Sequence, residues 1–176
     1  MIYDIVIYPD PRLKLISESV ETFDEELHAL LEDMYETMIA KNGVGLAAIQ
    51  IGVAKRILIV NVPIEGDEEE EPTQLPENTL EIINPVITYR SDERVKFQEG
   101  CLSVPGFYED IERHAMVTIE YQNRHGETFV IEDDEFLAIA LQHEIDHLDG
   151  KLFIEKLSYI KRKKFEKEWK KRKKSP

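Results

Sequence analysis

The sequence predicts an α+β fold in a single domain: antiparallel strands packed around a buried helix that comes late in the chain, followed by a C-terminal helix. Three observations carry that expectation. The 176 residues, 42% hydrophobic and 33% charged, suit one globular unit large enough to bury a core. Strand-like segments fill the middle of the chain and a largely apolar helical segment follows them, without the strand–helix alternation of a parallel sheet. No stretch repeats.

The opening, MIYDIVIYPDPRL, is β-prone at Ile2, Ile5, Val6 and Ile7 and turns at Pro9-Asp10-Pro11. It shows no basic leader, extended apolar segment or small-residue cleavage site, so a cytoplasmic location is expected. A helix is predicted over residues 24–41, where Leu27, Leu30, Leu31, Met34, Tyr35 and Met38 recur at helical spacing. Thr22 and Glu25 stand as its capping box. After NGVGLAAIQIG, the run ILIVNV at 57–62 reads as a buried strand. Residues 65–79, EGDEEEEPTQLPENT, lack apolar periodicity and read as an exposed acidic loop. Strand character resumes in EIINPVITY. AMVTIEYQ and ETFVIE then form a hairpin through Asn123-Arg124-His125-Gly126. The late helix starts near Asp133 or Asp134, where acids favour an N-terminus, and stops at Gly150. A last helix occupies 158–176, with Tyr159, Ile160, Phe165 and Trp169 among its charges.

The net charge of −14 is uneven. From Lys161 onward there are ten basic residues and two acids, a tail of +8, which leaves the rest of the chain at −22. Such a body repels DNA, whereas the tail suits RNA or simply a solvated helix. No apolar run is long enough to cross a bilayer, so no membrane partner is expected. A single cysteine, Cys101, excludes an internal disulfide framework and suits a reducing compartment.

The chemistry concentrates in ALQHEIDHLDG, residues 140–150. His143 and His147 lie four apart, on one helical face, with Glu144 beside the first; the pattern is that of a hydrolytic metal site. The surrounding Ala140, Leu141, Ile145 and Leu148 make burial of these polar groups costly unless a cation compensates. Zinc-like sites take four donors, so two histidines and a water need one more. Downstream, Glu155, Glu166 and Glu168 are available; upstream, the thiol of Cys101 in EGCLS is a good ligand for a borderline metal. On the residues alone the third ligand stays open. An endopeptidase, a thiol hydrolase using Cys101 with His143, and a metal-storage protein remain alternatives.

GVGLAAIQIG, EGCLS and QHEIDHLDG together resemble the three signature motifs of bacterial peptide deformylases, in the same order and with similar separations. The likeness runs from IYPDPRL to the basic tail. It implies a single catalytic domain that removes the formyl group from N-formylmethionyl nascent chains, using water activated by one divalent metal. It further implies Cys101, His143 and His147 as ligands and Glu144 as general base, with Gln50 and the backbone N–H of Leu102 lining the oxyanion site. Iron(II) is the expected ion, with zinc, nickel or cobalt as substitutes. Gly45 would let the backbone approach the substrate, and Val44, Ile139 and Ala140 would wall a methionine-sized slot. Glu99, Arg113 and Asp146 are available as supporting partners. The basic tail offers a ribosome-docking helix.

Overall fold

A computed structural model describes residues 1–63 and 73–174. The acidic run at 65–72 lies outside the described residues. The elements are α1 (Glu25–Ala40), β1 (Gly45–Ala47), β2 (Ile57–Val60), β3 (Leu80–Arg90), β4 (Arg94–Cys101), β5 (Val104–His114), β6 (Val117–Gln122), β7 (Thr128–Asp133), α2 (Phe136–Leu148) and α3 (Tyr159–Lys174). Short 3₁₀ turns at Pro11–Lys14, Ala48–Ile51, Pro76–Asn78 and Phe153–Lys156 join them. The strands form an antiparallel five-stranded sheet, β1-β2-β3-β6-β7, and a separate β4–β5 pair. This is the expected α+β domain with antiparallel sheets and a C-terminal helix.

The run ILIV is buried at every position because helices cover both faces of the sheet. Leu58, Val60 and Ile82 pack against Leu141, Ile145 and Leu148 of α2. Their neighbours Ile57, Ile59 and Ile83 point the other way, onto Leu27, Leu31, Met34 and Met38 of α1. A third cluster joins Val6, Val104, Ile111, Phe153 and Phe165, and so binds the N-terminal segment, the β4–β5 hairpin and α3 together.

Several local expectations shift. The N-cap of α1 is Asp24, whose carboxylate accepts from the Leu27 N–H at 3.0 Å, so Thr22 and Glu25 form no capping box. The opening segment joins no sheet; it is strapped down by single bonds, Val6 N–H to the Gln50 carbonyl and Tyr8 N–H to that of Ser103. Helix α2 starts two to three residues later than predicted, because Asp133 ends β7 and its carboxylate accepts from the N–H groups of Glu135 and Ala138. Residues 73–79, predicted as part of the exposed loop, include a half-buried Gln74 and a 3₁₀ turn. The β4–β5 hairpin, around EGCLS, was not foreseen at all.

Candidate metal centre

Helix α2 contributes His143, Glu144 and His147, all buried, with the two imidazole rings 5.1 Å apart on one face. The helix tolerates this polar cluster because its remaining inner face, Ala138, Leu141, Ile145 and Leu148, is anchored in the sheet core. The third group comes from the end of β4. Side chains alternate along a strand, so Glu99 and Cys101 share one face while Gly100 takes the other. Cys101 Sγ lies 3.3 Å from His147 Nε2. One ligand atom from each of Cys101, His143 and His147 fits within 4.8 Å of the others, and among the described residues no other His/Cys/Asp/Glu group of three or more does so. The downstream glutamates are used elsewhere or lie apart: Glu155 caps the Leu152 N–H, and Glu166 pairs with Arg162 along α3.

The donor set fits a divalent transition metal. One sulfur and two imidazole nitrogens converge in a buried place, the combination that borderline ions prefer. His143 Nδ1 contacts Glu99 Oε1 at 2.8 Å, which fixes the ring and leaves Nε2 facing the site. Glu144 Oε2 is buried without a hydrogen-bond partner, a cost that a cation alongside would lessen.

An ionic chain supports the histidine. Arg113, 3% exposed, grips Glu99 with two bonds of 2.6 and 2.9 Å and reaches Asp146 on α2 at 2.8 Å. It thus ties hairpin to helix, the supporting role considered for Glu99, Arg113 and Asp146. Burial raises the Glu99 pKa, but the bonds from His143 and Arg113 outweigh it and hold the carboxylate below its ordinary value. Burial opposes a charged His143, yet contacts with the Cys101 sulfur and Glu99 raise its pKa well above normal. His147 is pushed well below normal by burial, then by the nearby charges of His143 and Arg113, which keeps its ring neutral. Burial lifts Glu144 to about 7, with His143 and Arg113 opposing and Glu99 adding.

Gln50 sits in the Ala48–Ile51 turn, 1% exposed. Its Oε1 accepts from the Ala47 N–H at 2.9 Å, so the amide nitrogen must face the site, where it donates to Ser103 Oγ at 3.1 Å and approaches Cys101 Sγ at 3.5 Å. A cleft of about 430 Å³ opens here, lined by Val44, Gly45, Gln50, Leu102, Ile139, Ala140, His143 and Glu144 among others. The three positions predicted to wall a slot, Val44, Ile139 and Ala140, border it, and so does Gly45. At Gly45 a Cβ would lie 2.9 Å from Glu144 Oε1, so the glycine also leaves room for that carboxylate. Tyr108 and Phe136 also line the cleft, and Ser103 orients Gln50. Sequence reasoning assigned none of these three a role; Tyr108 carried no signal, since its strand was not foreseen. A larger groove, about 800 Å³, lies beside the start of α1 and borders no motif residue.

Residues 2–163 match the sequence family Polypeptide deformylase. The peptide deformylase of Campylobacter jejuni is 54% identical over 175 residues, 99% of this chain and 97% of that protein. That of Wolinella succinogenes is 59% identical over 168 residues, 96% and 95% of the two. A crystal structure of peptide deformylase from Ehrlichia chaffeensis in complex with actinonin superposes with a TM-score of 0.86 at 45% identity, covering 99% of each chain.

Proposed function

The chain belongs to the polypeptide deformylase family, and on that premise we propose that it hydrolyses the N-terminal formyl group of N-formylmethionyl nascent polypeptides in the cytoplasm, releasing formate and a free amine. The observation that carries this reading is the convergence of Cys101, His143 and His147 beside Glu144, next to an open cleft that Cys101, His143 and Glu144 line.

Cys101, His143 and His147 would hold one divalent ion, iron(II) in the cell, with zinc, nickel or cobalt fitting the same donors. When bound, the ion supplies Lewis acidity that polarises the formyl carbonyl and acidifies the attacking water. Glu144 takes the proton from that water and delivers it to the departing amine nitrogen. In the metal-free protein burial raises this carboxyl to about 7, the direction that favours holding the proton between the two transfers. The Gln50 amide N–H and the backbone N–H of Leu102 donate to the oxygen as it gains charge. Val44, Ile139 and Ala140 receive the methionine side chain, and Gly45 leaves room for the glutamate beside the substrate.

The partner is the nascent chain, and α3 is our candidate for docking on ribosomal RNA. The functional test is formate release from a formyl-Met peptide by the metal-loaded protein. Glu144→Gln is expected to lower turnover by roughly 10²–10⁴-fold with metal content unchanged. Near-native turnover in that variant overturns the mechanism.

A further inference from the structure

We propose that Gln74 is a positioning residue for the cleft, holding the Gly43–Gly45 wall in place and thereby setting discrimination for the substrate's first side chain. The proposal rests on the deformylase reading above and adds to it a residue outside the three motifs.

Gln74 lies between β2 and β3, and its half-buried side chain turns back onto the first motif. The amide nitrogen donates to the Gly43 carbonyl at 2.9 Å and to the Asn61 carbonyl at 2.8 Å. Its backbone carbonyl accepts from the Tyr35 hydroxyl at 2.8 Å. Asn61, 1% exposed, returns the contact: its side-chain amide donates to the Leu75 carbonyl and to Thr79 Oγ1. The two amides lock the segment after β2 against the loop before β1.

That lock sits where the strand pairing ends. The β1–β2 register runs out at Gly45 and Val60, followed by one bond from Asn61 N–H to the Val44 carbonyl. Beyond it, Gly43 is held by its own N–H on the Met38 carbonyl and by the Gln74 amide on its carbonyl. Gly43 and Gly45 form a wedge. A Cβ on Gly43 would lie 2.8 Å from Leu102 Cδ1, and one on Gly45 would lie 2.9 Å from the Glu144 carboxylate. Movement of the loop therefore shifts Val44 in the cleft wall and presses on both neighbours.

Two donors on one nitrogen span two carbonyls. Methionine has the same reach and no donor; lysine keeps donors at a similar length. The experiment compares metal-loaded full-length native protein, Gln74→Met, Gln74→Lys and Tyr35→Phe on formyl-Met and formyl-Ala peptides, with thermal unfolding alongside. Gln74→Met is expected to narrow the formyl-Met to formyl-Ala ratio of kcat/KM roughly tenfold. Gln74→Lys should restore most of it. Tyr35→Phe, which loosens the same segment without removing the amide, should lower Tm and leave the ratio within about twofold of native. If Gln74→Met does not fold, Gln74→Asn, too short to reach both carbonyls, is read the same way. A native ratio in the donor-free variant, or equal narrowing in Tyr35→Phe, overturns the proposal. Absence of formate release by the native protein would instead overturn the functional reading, and this inference with it.

Discussion

Glu144 is confined by what surrounds it. Its carboxylate lies against Gly45, where a methyl group would come within 2.9 Å of Oε1. Gly45→Ala should displace the carboxylate by a few tenths of an ångström and lower kcat by roughly 10–10²-fold, with metal content retained; steady-state kinetics with metal analysis checks this. The same confinement sets a pH dependence. A carboxyl whose pKa rises from 4.5 to about 7 on folding binds more protons in the native state, so its contribution is complete below pH 4.5 and is lost as pH rises through about 7. In metal-stripped protein, Glu144→Gln should therefore stabilise at pH 8, by up to roughly 3 kcal/mol, with the gap closing toward pH 4.5. Urea unfolding at the two pH values measures it. His143, also raised, adds in the same direction. Sequence spacing was enough to pair His143 with His147 and to single out Glu144. It could not reveal why Gly45 is glycine, because that contact joins residues far apart in the chain.

Among the elements, α2 and β2 were legible because each has a period or run that only one burial pattern satisfies. The β4–β5 hairpin was not, because half of its sequence, RVKFQEG against YEDIERH, is charged. Its stability comes from tertiary partners: Glu99 and Arg113, polar residues turned inward, meet each other and α2. The pairing register shifts between Glu99 and Cys101, yet both side chains reach α2, Glu99 at His143 and Cys101 at His147. The acid there is as much part of the site as the cysteine. Breaking this buried ionic link with Arg113→Leu should destabilise the protein by about 3–5 kcal/mol. It should also weaken metal affinity about 10–100-fold, since His143 loses the brace on its orienting carboxylate. Denaturant titration and competition with a metal chelator test the two parts.

For the molecule as a whole, α3 joins two roles that composition could not separate. Its inner side is core: Phe165 is 1% exposed and meets Phe107, Tyr8 and Trp169 in tilted ring contacts. Arg172 donates to the Pro105 and Gly106 carbonyls, at the rim of the cleft. Its outer side carries Lys163, Lys167 and Lys170, all exposed and spaced along one face. Deleting residues 161–176 would therefore damage the fold along with any docking. The separable experiment is substitution: Phe165→Ala should cost about 3–5 kcal/mol of stability, whereas Glu at Lys163, Lys167 and Lys170 should leave Tm nearly unchanged and abolish salt-sensitive co-sedimentation with ribosomes. Unchanged co-sedimentation of the triple variant rules out docking through this face.

The division into two sheets has a further consequence. Among the described residues the β4–β5 pair shares no strand ladder with the five-stranded sheet. The thiol stands on the small sheet and the imidazoles on the helix packed against the large one. The three candidate ligands thus straddle a seam, and an ion held there would be a rivet between two plates as well as a reagent. Without it, the joint beside the cleft would rest on the Glu99–Arg113–Asp146 chain and the third core cluster.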